Sequence, residues 1–215
     1  MFGSTVYVVS ERLPLARSIL RTLRDKGTAT RSFRSSMRLA GLILAMEISR
    51  ELEWKPVTVE TPLGVSVEEY ELSSQPLLVG ILGASIYMLE GFQAVYEGAP
   101  VALIAAKRVE KPGDVEVHVY YERLPERWSG VAIVVDPMLA TGKTIELAVR
   151  KTKEIGSSKV VVASIIASIP GLRYLASKHP DVPVYTLAVD PELNDRFFIV
   201  PGLGDAGDRA LGVVA

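Results

Sequence analysis

A chain of 215 residues is long enough for one large domain with a sizeable core. A net charge of -1 and a pI of about 6.2 offer no basic surface to nucleic acid, and the absence of cysteine excludes disulfides and thiolate metal sites. No apolar run reaches the roughly 18 residues of a membrane span, and the N-terminus carries charge where a signal peptide needs its apolar stretch, so a soluble, cytoplasmic protein is expected.

In chain order, STVYVVS predicts a short edge strand, and Leu15 to Leu23 a helix ended by Gly27 as its C-cap. Thr30 to Leu52 is the longest helical pattern, with Phe33, Met37, Ala40, Leu44 and Ile48 at three- and four-residue steps. Its first turns carry Arg31, Arg34 and Arg38, a charge run that fits either a solvated face or an anion site. From Trp54 to Leu72 the pattern alternates on both sides of Pro62-Leu63-Gly64, which predicts a β-hairpin arm at about 54–72, after N-terminal helices at about 12–52. Such an arm is expected to pack on a partner or cover the site.

Gln75 to Leu82 predicts a core strand, followed by a Gly83-Ala84-Ser85 loop and a helix to about Glu97. Val101 to Ala106 predicts a strand ending in Lys107-Arg108, and VEVHVYYERL an alternating strand of a flap. Val131 to Val135 is an unbroken apolar run, expected of a strand buried on both faces of a parallel sheet. Asp136 closes it, Ala140-Thr141-Gly142-Lys143-Thr144 form a small-residue loop, and a helix follows from Ile145. Further strands are expected at Lys159 to Ile166 and Val184 to Val189, around a short helix at Gly171 to Ser177. This alternation predicts an α/β fold of one domain, 1–215, with a mostly parallel central sheet and helices on both faces. Asn occurs only at Asn194 and Gln only at Gln75 and Gln93, a scarcity of thermolabile amides that fits life at high temperature.

Three readings compete for the central loop. Gly142-Lys143-Thr144 ends like a nucleotide P-loop, but Pro137 stands where that motif opens with glycine, lacks an N–H and fixes φ. The loop could equally be a plain strand-to-helix turn with a cap. The third reading is a cradle for one phosphate monoester, with backbone N–H groups at a helix start and Asp136 accepting from sugar hydroxyls. Near the C-terminus, Gly202-Leu203-Gly204-Asp205-Ala206-Gly207 spells a dinucleotide-binding motif, yet only eight residues follow it, too few for the helix and strand that motif requires. His118 and His179 are not at metal-ligand spacing.

VVDPMLATGKT (Val134 to Thr144) resembles the phosphoribosyl-pyrophosphate motif of type I phosphoribosyltransferases, in the version carried by uracil phosphoribosyltransferases. PGLGDAGDRALG (Pro201 to Gly212) resembles that family's uracil-binding segment. Phe33-Arg34, Thr61-Pro62-Leu63-Gly64, Met88-Leu89-Glu90-Gly91, Tyr120-Tyr121 and Asp190 with Leu193-Asn194 extend the likeness almost end to end. It implies the type I phosphoribosyltransferase fold and transfer of ribose 5-phosphate from phosphoribosyl pyrophosphate to uracil, giving UMP and diphosphate in pyrimidine salvage. Mg2+ would be carried by the substrate's phosphates and waters rather than directly by the protein.

Carried over residue by residue, phosphoribosyl pyrophosphate would be held by Arg108, Asp136, Pro137, Met138, Leu139, Ala140, Thr141, Gly142, Lys143, Thr144 and Asp205. Uracil would lie against Ile199, Gly204, Asp205 and Ala206. The family's habits imply a homodimer or homotetramer and a GTP effector site to which Arg31 and Arg34 contribute. Three departures stand out. Gly83 replaces a pyrophosphate-binding arginine, a contact worth about 1.5–3 kcal/mol. Lys143 adds a cation where the family has glycine. Phe197-Phe198 replaces Gly-Tyr before Ile199. The Gly83 departure motivates an alternative function, a nucleotide-binding relative with weak or lost turnover.

Overall fold

The computed structural model describes residues 6–111 and 114–212, without the side chains of residues 107–111, 114 and 115. In chain order its elements are β1 (Val6–Val8), α1 (Pro14–Arg24), α2 (Thr30–Ile48), β2 (Trp54–Glu60), β3 (Ser66–Leu72), β4 (Leu77–Leu82), α3 (Ile86–Val95), β5 (Val101–Lys111) and β6 (Asp114–Arg123). There follow β7 (Val131–Val135), β8 (Met138–Leu139), α4 (Lys143–Glu154), β9 (Lys159–Ser168), α5 (Ile169–Lys178), β10 (Val184–Asp190), β11 (Glu192–Leu193), β12 (Ile199–Val200) and α6 (Ala206–Leu211). No helix among the described residues is long and apolar enough to cross a membrane.

The main sheet runs β1-β10-β9-β7-β4-β5-β6, with β8 paired to β9. All its pairings are parallel except β5 with β6. The unbroken apolar run of β7 follows from cover on both faces. Ile133 and Val135 join the core beneath α1, α2 and α3, while Ala132 and Val134 join the core beneath α4 and α5. On α2, Phe33, Met37, Ala40, Leu44 and Ile48 are all buried, as their helical spacing predicts.

β2 and β3 form the expected hairpin arm in a two-stranded sheet of their own, with Trp54 paired to Leu72 and Glu60 to Ser66. Its tip turns with Gly64 in the left-handed region, and the Gly64 N–H donates to Thr61 O. Leu63, Val65 and Tyr70 are exposed along it.

Several boundaries differ from the sequence reading. Gly27 does not cap α1, because the chain leaves the helix extended at Asp25, whose Oδ1 accepts from the Gly27 N–H at 2.8 Å. α2 stops at Ile48 and tightens into a 3-10 turn over Ser49–Glu51. β5 runs on to Lys111, so Arg108 lies within a strand rather than at its end. α4 starts at Lys143, two residues early, because Gly142 supplies the turn into the helix. β9 continues to Ser168, since β8 extends the edge against which it pairs.

Candidate functional site

β4 and β7 lie side by side in parallel, but the helices that follow them go to opposite faces. Met88 and Phe92 of α3 pack in one core, whereas Ile145, Ala148 and Val149 of α4 pack in the other. The loops after these strands therefore diverge, and the sheet has a switch point between them, where open α/β sheets hold ligands. A crevice of about 190 Å³ opens there. Ile81 to Ala84 and Ala106 line one side, Asp136 to Met138 with Ala140 to Gly142, Thr144 and Ile145 another, and Asp205 to Gly207 a third.

The central loop is built to present donors. Gly142 precedes α4 at φ 81°, with no side chain capping the helix. The first N–H groups of a helix have no partner within it, and the helix dipole adds partial positive charge at that end. Gly142 is required twice over. An L side chain is strained at this φ, and a Cβ would lie 2.7 Å from Gly171 O and 3.1 Å from Tyr174 Cδ1. Asp136 sits at the end of β7, its N–H donating to Ala163 O and its Oδ1 3.4 Å from the Met138 N–H.

The C-terminal turn reaches the crevice through contacts that span most of the chain. Arg24 of α1 makes a bidentate pair with buried Asp190 at 2.8 and 2.7 Å and also donates to Gly202 O. The same Asp190 accepts from the Gly202 N–H at 2.8 Å. Arg209 donates to Leu23 O, Leu203 O and Asp25 O, and its guanidinium lies 4.3 Å from the Phe33 ring centroid. Burial pushes that guanidinium's pKa below its ordinary value, while Asp25 opposes the shift. Asp205 caps α6 by accepting from the Asp208 N–H at 2.9 Å. The turn is thus tied to α1 and β10.

Of the residues singled out from sequence, Asp136, Pro137, Met138, Ala140, Thr141, Gly142, Thr144, Asp205 and Ala206 border the crevice, and Gly83 faces the same space. Leu139 does not, being fully buried under α4 and α5. Lys143 is the first residue of α4 and is not among the lining residues. Ile199 is buried in β12, and Gly204 is an exposed turn residue at φ 76°. Arg108 lies on β5 two residues beyond Ala106, with its side chain outside the described residues. Arg31 and Arg34 lie elsewhere, in a cleft of about 220 Å³ shared with Ser35, Arg38, Tyr87 and Glu90. Arg34 donates to Ala210 O and Leu211 O, holding the end of α6, and lies 5.0 Å from the Tyr87 ring centroid. Among the described residues no group of three or more His, Asp or Glu could hold a metal ion.

Known proteins resemble the chain along nearly its whole length. The family profile described as uracil phosphoribosyltransferase matches residues 9–212. A uracil phosphoribosyltransferase of Aeropyrum pernix is 53% identical over 98% of both chains. Another, of Sulfolobus acidocaldarius, is 38% identical over 97% of this chain and 100% of its own. A solved Aquifex aeolicus protein superposes with a TM-score of 0.90 at 32% identity, covering 98% of this chain and 100% of that one. Adenine phosphoribosyl transferase of Trypanosoma brucei shares the fold, with a TM-score of 0.55 at 13% identity over 88% of this chain and 84% of its own. The fold is that of the type I phosphoribosyltransferases, and by sequence from end to end the chain belongs to the uracil phosphoribosyltransferase family.

Proposed function

We propose that the protein is a pentosyltransferase that moves ribose 5-phosphate from phosphoribosyl pyrophosphate to N1 of uracil, releasing diphosphate and UMP. The observation that carries this reading is the shared crevice. The loop after β7 and the Asp205–Gly207 turn, nearly seventy residues apart in sequence, border one space at the switch point. Family membership favours turnover over a binding-only relative.

The residues divide the work as follows. Backbone N–H groups and the hydroxyls of Thr141 and Thr144 hold the 5-phosphate, with Pro137, Met138 and Ala140 shaping the loop. Asp136 accepts from the ribose hydroxyls and faces the positive charge that develops on the sugar as its bond to diphosphate breaks. This is catalysis by position and fixed charge, without an acid–base pair. Arg108 neutralises the leaving diphosphate. Uracil lies against Ile199 and the Gly204-Asp205-Ala206 turn, whose fixed N–H and C=O groups match its edge. A cytosine amino group meets a donor there, and each buried group left unpaired costs about 1–3 kcal/mol. Mg2+ fits this site as a guest of the substrate's phosphates. Among the described residues Asp136 and Asp205 are the carboxylates at the crevice, too few to hold the ion without the substrate's phosphates and water. When bound it neutralises charge on the departing diphosphate.

Gly83 is compatible with activity. Among the described residues a Cβ there would meet only Leu211 Cδ1, at 3.4 Å, so the absent arginine leaves room rather than a collapsed wall. Incubating the protein with phosphoribosyl pyrophosphate, uracil and Mg2+ should yield UMP and diphosphate. Gly83→Arg should change kcat/KM by no more than about threefold. Tight UMP binding with no turnover, restored by that substitution, would instead establish the binding-only function.

Regulation and assembly belong to the same proposal. GTP would occupy the cleft of Arg31 and Arg34, and the hairpin arm would pack against a second copy, burying its exposed Leu63, Val65 and Tyr70. A two-stranded hairpin is marginal alone in water, which supports such packing. Rates unchanged by GTP would remove the effector site, and a monomer by light scattering would remove the dimer or tetramer.

A further inference from the structure

The phosphate loop is braced from behind by a residue outside the crevice. Ser168 ends β9, caps α5 and is fully buried. Its Oγ accepts from the Gly171 N–H at 2.9 Å and donates to Ala140 O at 2.6 Å. A serine hydroxyl has one proton, and here that proton is committed to the Ala140 carbonyl.

The consequence follows from peptide geometry. In a planar trans peptide the C=O and the next residue's N–H point in opposite directions. Drawing Ala140 O back against α5 therefore turns the Thr141 N–H the other way, and Thr141 lines the crevice. That N–H has no backbone acceptor among the described residues. A second contact fixes the same peptide: Gly171 approaches so closely that a Cβ on it would lie 2.1 Å from Ala140 O. The first turn of α5 thus forms a wall behind the loop, and among the described residues Ser168 is the one side chain that hydrogen-bonds to Ala140.

We infer that Ser168 is a positioning residue of the phosphate site: it holds the Ala140–Thr141 peptide so that its N–H, and not its carbonyl, faces the 5-phosphate. Without the hydroxyl only the close approach of Gly171 restrains the peptide, and a carbonyl oxygen turned toward an anion repels it. This inference rests on the reading of the loop after β7 as the phosphate cradle.

The test uses Ser168→Gly, since glycine caps a helix nearly as well as serine but cannot donate to Ala140 O, and Ser168→Thr, which keeps the hydroxyl. Ser168→Gly should raise the KM for phosphoribosyl pyrophosphate about tenfold and weaken inorganic phosphate binding by a similar factor, as loss of one oriented donor to a charged ligand implies. Its KM for uracil, measured at saturating cosubstrate, should stay within about twofold of the parent's, and so should the Ser168→Thr values for both substrates. Unchanged phosphate affinity in Ser168→Gly would overturn the inference. So would a uniform fall of every parameter, tracking the melting temperature and not rescued by threonine. A parent protein that binds inorganic phosphate but makes no UMP would sink the transferase reading alone, because the phosphate comparison between variants stands without turnover.

Discussion

Asp136→Asn is expected to lower kcat/KM for phosphoribosyl pyrophosphate by about a hundredfold or more. On the proposed reading the carboxylate accepts from two ribose hydroxyls, and hydrogen bonds to a charged group are worth about 1.5–3 kcal/mol each. Two weakened bonds amount to about 3 kcal/mol, or two decades. On the same reading, loss of the negative charge adds to this, because the carboxylate would face the sugar as positive charge develops there. The backbone of Asp136 keeps its bond to Ala163 O whichever side chain is present. Initial rates at varied phosphoribosyl pyrophosphate, beside a thermal melt, decide the matter. A loss under about threefold would mean that Asp136 does not touch the ribose.

The sheet was legible in the sequence wherever burial is decided locally. An apolar run such as Val131 to Val135 can be satisfied only between two layers of helices, and the spacing from Phe33 to Ile48 fits only a helix with one buried face. Ends were less legible, because caps are chosen by geometry rather than by residue type. Gly27 has the composition of a C-cap, yet Asp25 ends α1 by turning its own carboxylate onto the Gly27 N–H. The supports of the site were illegible for a different reason. Arg24 meets Asp190 across 166 residues, Arg209 meets Leu23 across 186, and Ser168 meets Ala140 across 28. None of these pairs leaves a periodic trace, so nothing in a single sequence marks Ser168 as different from any other serine. Phe197 is a partial exception. Its place in a position that resembles a family glycine flags an unusual backbone, and the residue does adopt φ 60°. The turn tolerates this because Asn194 Oδ1 accepts from both the Arg196 and Phe198 N–H groups, and Asn194 O accepts from the Phe197 N–H.

Gly142→Ala tests whether the cradle's shape, and not only its chemistry, is required. The substitution adds one methyl group and removes no hydrogen-bonding atom. At φ 81° an alanine costs about 1–2 kcal/mol in backbone strain. Its Cβ would also lie 2.7 Å from Gly171 O, a backbone atom that cannot swing aside as a side-chain tip can. The first turn of α5 must shift, or the start of α4 must, and on the proposed reading either movement spreads the N–H groups that hold the phosphate. A total cost of about 2–4 kcal/mol is expected, which for a chain of this size lowers the melting temperature by roughly 4–16 °C. The kcat/KM for phosphoribosyl pyrophosphate should fall at least tenfold, through KM more than kcat, since the damage is to ground-state and transition-state binding alike. Gly83→Ala provides the contrast. Both glycines line one crevice, but a Cβ at Gly83 comes no nearer than 3.4 Å to Leu211 Cδ1, a movable side-chain end, so its melting temperature should stay within about 2 °C of the parent's. Equal and small effects at the two positions would show that the loop after β7 gives way freely. A cradle able to give way in that manner could not owe its phosphate affinity to preset donors.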